Sequence, residues 1–139
     1  MRYPGIYVLA ISEGELSGRA FSFRKEIVYV GMTNSIGGLR SRLNQFDYTI
    51  KLRLVRHGGA DRFLFKYRNY SLLSKKLYVA MRHFVCSPAN ESPSDLRIMG
   101  RVAEAEYTCQ AEYVERFGAL PEFNRKKLSK KFSHQLKDR

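Results

Sequence analysis

The chain has 139 residues, a length typical of one compact domain, and its 25 lysines and arginines against 13 aspartates and glutamates leave a formal net charge of +12. This balance favours a polyanionic partner, with nucleic acid ahead of an anionic membrane surface. Because the sequence has no long apolar run and no secretory signal pattern, we expect an intracellular protein without a membrane partner, cytoplasmic and nucleoid-associated if it is prokaryotic.

Charge is distributed unevenly along the chain. Residues 47–85 contain nine basic and two acidic residues, residues 86–124 contain three basic and seven acidic residues, and residues 125–139 contain seven basic and one acidic residue. An acidic segment is therefore bracketed by two basic ones. A solvated surface can have this distribution by chance, but the same arrangement can hold phosphates at the flanks and a divalent cation between them.

Two short β-branched and aromatic runs, residues 5–11 and 26–30, predict the first two strands, because each is bounded by turn-forming residues. The polar, glycine-bearing residues 12–18 between them indicate a hairpin with a long connection. In such a hairpin, Tyr7 and Tyr29 can lie side by side.

The glycine-rich residues 32–38 precede a predicted helix in which Leu39, Leu43 and Phe46 share one face. Arg42 lies about 60° from Leu39 and about 100° from Leu43 on the helical wheel, at the margin of this apolar face. An arginine in that position can reach a neighbouring cleft.

The middle of the chain is less informative, with a short helix suggested at residues 61–67. Residues 76–85 then predict a third strand. The expected fold class is α+β, a small three-stranded antiparallel sheet that begins with the N-terminal β-hairpin and is flanked by helices.

A long helix is predicted after Ser92, where Ser-Pro-Ser-Asp supplies residues typical of a helix start and apolar residues recur every three or four positions up to Phe117. Gly118 and Pro121 should end it. The domain is thus expected to span residues 1–124.

Residues 125–139 are predicted to form a basic C-terminal extension. Leu128, Phe132 and Leu136 recur at steps of four among lysines, which is typical of a short amphipathic helix. This segment either docks on the domain or becomes ordered when it binds nucleic acid, and the sequence leaves both alternatives open.

Two motifs, Gly5-Ile6-Tyr7 and Tyr29-Val30-Gly31, resemble the paired signature of the GIY-YIG nucleases. That family includes phage homing endonucleases, some restriction enzymes and the incision subunit of bacterial excision repair. Further elements follow in the family's order: Arg42-Leu43 lies on the predicted helix, and Glu112 is followed nine residues later by Pro121 and twelve residues later by Asn124.

Two departures from the family pattern concern the helix after the second motif. About three extra residues separate Gly31 from Arg42, so Arg40 is an alternative for the catalytic arginine. Phe46 stands where some members have a histidine or lysine that assists catalysis.

The resemblance implies a divalent-metal-dependent endonuclease that hydrolyses DNA phosphodiester bonds, with Mg²⁺ or Mn²⁺ held by Glu112. Arg42 would neutralise charge at the scissile phosphate. Tyr7 is the preferred base and Tyr29 the preferred positioning residue, although the reverse order is open. Gly5, Gly31 and Asn124 are expected in supporting roles, the asparagine chiefly in fixing the backbone.

The substrate surface is expected on the basic segments, with backbone or structure recognition favoured because no recognition helix is evident. The candidate phosphate contacts are Lys51, Arg53, Arg56, Arg62, Lys66, Arg68, Lys75, Lys76, Lys126, Lys127, Lys130 and Lys131. The main alternative is a non-catalytic nucleic-acid-binding module with the same fold. The sequence leaves open RNA as a substrate, a homodimer or larger host complex, and a pathway in DNA repair, recombination, mobile elements or defence.

Overall fold

The computed structural model describes residues 2–52 and 76–125, and for residues 49–52 the backbone alone. These residues form an α+β fold with one antiparallel sheet, which confirms the predicted fold class. The strands are β1 (Gly5–Ile11), β2 (Ile27–Thr33) and β3 (Leu77–His83), in the order β2-β1-β3. The helices are α1 (Gly38–Leu52) and α2 (Pro93–Phe117), and 3₁₀ turns occupy Pro88–Asn90 and Glu122–Asn124.

The predicted helices at residues 61–67 and in the tail lie outside the described residues. Within the described ranges, neither α-helix is both long and apolar enough to cross a bilayer.

Strand β1 is the centre of the sheet and pairs with both neighbours in antiparallel register. Tyr7 lies opposite Gly31, and Leu9 lies opposite Tyr29, before an irregularity between Leu9 and Ala10. Successive side chains of a strand point to opposite faces. The sheet therefore has two surfaces with different residues.

The first surface, here called the Tyr7 face, carries Tyr7 and Leu9. Leu39 and Phe46 of α1 pack on it, together with Phe123 from the turn after α2. All five side chains are buried. The apolar stripe read from the sequence of α1 is thus the part of the helix that covers this face.

The second surface, here called the Val8 face, carries Val8, Ala10 and Val30. Tyr113 of α2 packs against these residues, and Val102 of the same helix is completely buried. The sheet therefore separates α1 on one side from α2 on the other.

Local sequence determines both ends of α2. The Ser92 hydroxyl accepts a hydrogen bond from the Asp95 backbone N–H at 3.1 Å, and Asp95 in turn accepts one from the Ser87 backbone N–H at 2.9 Å. This backbone bond, with the Ser92 hydroxyl, lowers the pKa of Asp95. At the other end Gly118 has φ of 85° and donates to the Val114 carbonyl at 2.7 Å, a left-handed end that suits glycine.

Candidate functional site

The hairpin brings the two motif tyrosines together on the Tyr7 face. Their ring centroids are 6.0 Å apart with an interplanar angle of 45°. Tyr7 is completely buried, whereas Tyr29 is only partly buried. Of the two hydroxyls, that of Tyr29 is therefore better placed to meet water or substrate.

Gly31 is what allows the two rings to lie so close to the backbone of β2. A Cβ atom at this position would lie 2.5 Å from Tyr7 Cζ, 2.6 Å from Tyr7 Oη and 2.8 Å from Tyr29 Cε1. Gly5 has a similar role on β1, where a Cβ would collide with the carbonyl oxygen of Arg82 and approach Leu39 Cδ1 to 2.8 Å. Both motif glycines are thus explained by close approach.

Arg42 extends from α1 to the Tyr7 hydroxyl. Burial raises the pKa of Tyr7 above its usual value, Tyr29 adds to the rise, and the charge of Arg42 and its hydrogen bond to Tyr7 oppose it. A buried phenol that holds its proton is a weak candidate for a base. This geometry favours exchanging the roles that the sequence analysis preferred for the two tyrosines. Tyr29 is then the residue that contacts the attacking water, and Tyr7 is a fixed partner of Arg42.

Not every hydrogen-bond donor of the Arg42 guanidinium has a partner among the described residues. Its Nη1 donates to Gln45 Oε1 at 3.4 Å, a long hydrogen bond, and among the described residues its buried Nε has no partner. Arg40, the alternative arginine, is exposed and is not among the groups that affect Tyr7. Phe46 is buried on the Tyr7 face and brings no basic group there.

Asn124 holds the outer edge of β2. Its Oδ1 accepts from the Val30 backbone N–H, and its Nδ2 donates to the Val30 carbonyl oxygen, both at 2.8 Å. The side-chain amide therefore mimics the backbone of a neighbouring strand. It also places Phe123 on the Tyr7 face, in keeping with a role in fixing the backbone.

Glu112 does not join Tyr7, Tyr29 and Arg42. It lines a cavity of about 660 Å³ together with Ile6 and Val8, on the Val8 face. Its carboxylate accepts a hydrogen bond from Arg116 Nη2 at 3.0 Å, one helical turn away. Because the next residue, Tyr113, packs on the Val8 face, α2 carries Glu112 on that side of the sheet.

The metal site that the resemblance implies can be tested on this arrangement. The described residues contain no group of three or more His, Cys, Asp or Glu that could hold an ion. Mg²⁺ that keeps several waters needs only one or two carboxylates, and the Glu112 side chain is 42% exposed. Its carboxylate is nevertheless paired with Arg116 and lies across the sheet from Arg42. The described residues therefore do not fit one metal centre shared by Glu112 and a phosphate on Arg42.

No family model, curated protein or solved structure matches the chain. The likeness to the GIY-YIG nucleases rests on the motifs of the sequence. The structure groups most of the motif residues around β1 and β2, namely Gly5, Tyr7, Tyr29, Gly31, Arg42 and Asn124, and it places Glu112 apart.

The predicted phosphate contacts fall mostly outside the described part of the chain. Lys76 is described, and its ammonium pairs with the exposed Glu13 carboxylate at 2.6 Å, a surface ion pair that contributes little to stability. Lys51 lies on α1, where only the backbone is described. The following lie outside the described residues: Arg53, Arg56, Arg62, Lys66, Arg68, Lys75, Lys126, Lys127, Lys130 and Lys131.

An arginine-lined groove that the sequence interpretation missed runs along the outer side of α1. Arg2 and Arg40 line it. The helical wheel contained a signal for it, because Arg40 and Asn44 lie one turn apart, away from Leu39 and Leu43. Arg2 could not be predicted to line this groove, because it lies outside the helix and no periodic pattern relates it to Arg40.

Proposed function

We propose that the protein is an endonuclease that hydrolyses DNA phosphodiester bonds, directed by the DNA backbone or by DNA structure. The observation that carries this proposal is the position of Arg42 beside Tyr7 and Tyr29, on one face of the sheet of a chain with net charge +12. Such a constellation combines a phosphate-binding fork with a hydroxyl group, that of Tyr29, able to orient a water molecule.

Each residue has a distinct part in this proposal. Arg42 binds the scissile phosphate and neutralises the charge that grows on its oxygens. The buried Tyr7 hydroxyl accepts from Arg42 and holds the guanidinium in place. Tyr29, the more accessible hydroxyl, orients the attacking water. The requirement for Mg²⁺ or Mn²⁺ comes from the resemblance alone, and the described residues provide no ligand set for the ion beside Arg42.

A second candidate is a nucleic-acid-binding module with this fold and no hydrolytic activity. The position of Glu112 favours it, because the carboxylate lies on the Val8 face and is paired with Arg116. The buried Phe46, where a basic helper stands in some GIY-YIG nucleases, points the same way.

The deciding experiment measures nicking of supercoiled plasmid and cutting of a flapped duplex, each with Mg²⁺, with Mn²⁺ and with a chelator. Arg42→Lys keeps the charge but loses the planar fork, so we expect cleavage to fall by about 10²- to 10³-fold. Arg97→Lys is the matched control, because it makes the same exchange at an exposed arginine of α2, outside the candidate site. We expect it to stay within a few-fold of the wild type.

Binding by the wild type without cleavage under any metal condition would replace the endonuclease with the binding module. Equal losses in Arg97→Lys and Arg42→Lys would show that the loss is not specific to Arg42. Glu112→Gln tests the separation of the two faces. A loss as large as that of Arg42→Lys would mean that Glu112 reaches the phosphate in an arrangement other than the one described.

A further inference from the structure

The arginine-lined groove beside α1 has a volume of about 460 Å³. Its side chains are Arg2, Arg40, Ser41, Asn44, Gln45 and Tyr48. These described side chains include two guanidinium groups, two amides and two hydroxyls, and no carboxylate of the described residues lines the groove. Two permanent positive charges beside hydrogen-bond donors are suited to phosphate oxygens.

The two arginines are held on one surface by backbone packing at the start of α1. The Leu39 N–H donates to the Tyr3 carbonyl at 2.9 Å. Gly38 has φ of 66°, and a Cβ at this position would collide with the backbone of Arg2. The Tyr3 ring also stacks on His83 of β3, with centroids 5.8 Å apart. Arg2 is therefore fixed beside the helix that carries Arg40.

The groove adjoins the candidate site through Gln45. This residue lines the groove and also accepts the hydrogen bond from Arg42 Nη1. From Arg40 to Tyr48 the helix rises by about 12 Å. That length corresponds to the rise of about three to four base pairs along the axis of a duplex. A strand in the groove would thus pass Gln45, the residue that contacts Arg42.

We infer that this groove binds the sugar–phosphate backbone of one DNA strand next to the bond held by Arg42. Arg2 and Arg40 neutralise phosphates of that strand, and Ser41 and Asn44 donate to its oxygens. The substrate class rests on the proposed function, whereas the groove as a phosphate-binding surface does not depend on hydrolysis.

The experiment is a salt titration of binding, measured by fluorescence anisotropy with a labelled DNA duplex in the presence of a chelator. We compare the wild type with Arg2→Ala, Arg40→Ala and the matched control Arg97→Ala, an exposed arginine of α2 that does not line the groove. Each groove variant should reduce the slope of log K against log salt by about 0.9, and weaken binding by about 5- to 10-fold at low salt. The control should keep the wild-type slope, although it removes the same charge.

Arg40→Lys should restore most of the slope, and circular dichroism should show that all variants are folded. Groove variants that behave like Arg97→Ala would overturn the inference. If the wild type binds and shows the predicted slopes but never cleaves DNA, hydrolysis fails and the groove stands. If it cleaves while the groove variants match the control, the groove fails and hydrolysis stands.

Discussion

The two faces of the sheet differ in chemistry although they share the same three strands. The Tyr7 face buries a phenol beside an arginine, among apolar residues of β1 and α1. The Val8 face is apolar at its centre and is covered by α2, with the charged residues Arg82, Arg101, Glu104 and Glu112 lining its cavity. The difference shows that residues of one sequence motif can serve opposite sides of a single sheet.

The chain passes from one face to the other around the edge of β2. Tyr113 packs on the Val8 face, and Phe123, ten residues later, packs on the Tyr7 face. Asn124 marks the crossing by its two hydrogen bonds to Val30. The spacing from Glu112 to Asn124 therefore describes a segment that turns around an edge, and its two ends do not meet in one site.

The largest effect on this arrangement should come from Asn124→Ala. The change removes both 2.8 Å hydrogen bonds to Val30 and leaves the edge of β2 without this partner. We expect the free energy of unfolding to fall by about 3 kcal/mol, measured by urea denaturation. Asn90→Ala, at an exposed position in the turn before α2, is the control and should change it by less than about 0.5 kcal/mol. Equal stability of the two variants would show that the crossing does not depend on the amide.

Alanine substitutions at two glycines, Gly31 in β2 and Gly100 in α2, compare a crowded position with an open one. Gly31→Ala places a methyl group against the rings of Tyr7 and Tyr29 and should reduce stability by about 2 kcal/mol. Gly100→Ala in α2 adds the same methyl group where, apart from nearby backbone of the helix itself, no atom of the described residues lies within 4 Å. Alanine also favours a helix, so stability should rise by about 0.5–1 kcal/mol. Thermal unfolding of both variants measures the contrast. A Gly31→Ala protein as stable as the wild type would contradict the close approach of the rings.

The smallest effect near neutral pH concerns the two buried tyrosines, one on each face. Burial raises the pKa of both Tyr7 and Tyr113, and Tyr7 is the more deeply buried. Below pH 10 the phenols are neutral in both the folded and the unfolded chain, so their contribution to stability is fully present. Above pH 10 these two phenols lose their protons in the unfolded chain but keep them in the folded chain, so stability falls as the pH rises.

We therefore expect Tyr7→Phe to flatten the alkaline loss of stability by up to about 1.4 kcal/mol per pH unit above pH 10. Tyr113→Phe should flatten it less. Denaturation series from pH 8 to pH 11.5 measure both slopes. If Tyr113→Phe had the larger effect, the Val8 face would hold the more protected phenol and the comparison would reverse.

Much of the fold could be predicted because its signals are local. The ends of α2 follow from Ser92 and Gly118, and the hairpin follows from two β-branched runs. Strand β2 and helix α1 extend beyond their predicted ends, whereas β3 is shorter than predicted. Strand β2 continues to Thr33 because Gly5 and its neighbours in β1 pair with it, and α1 continues to Leu52, since no glycine or proline lies between Phe46 and Leu52.

The only part of the candidate site that could be predicted was the face of the sheet on which its strand residues lie, because side chains alternate between the two faces along a strand. Tyr7 and Tyr29 fall on one face because strand register and period two require it. The depth at which Tyr7 is buried was not predictable, since it depends on Leu39 and Phe123, which are distant in sequence. The same holds for the groove, where Arg2 meets Arg40 through the backbone around Gly38.

The sequence by itself determined the class of fold, the ends of the long helix and the pairing of the two motif tyrosines, because propensity, capping and strand period act over a few residues. Only the tertiary structure decided which face α2 covers. Burial of Val102 and Tyr113 directs that helix to the Val8 face, and Glu112 goes with it, because a rigid helix carries all its side chains to the side where its apolar stripe packs.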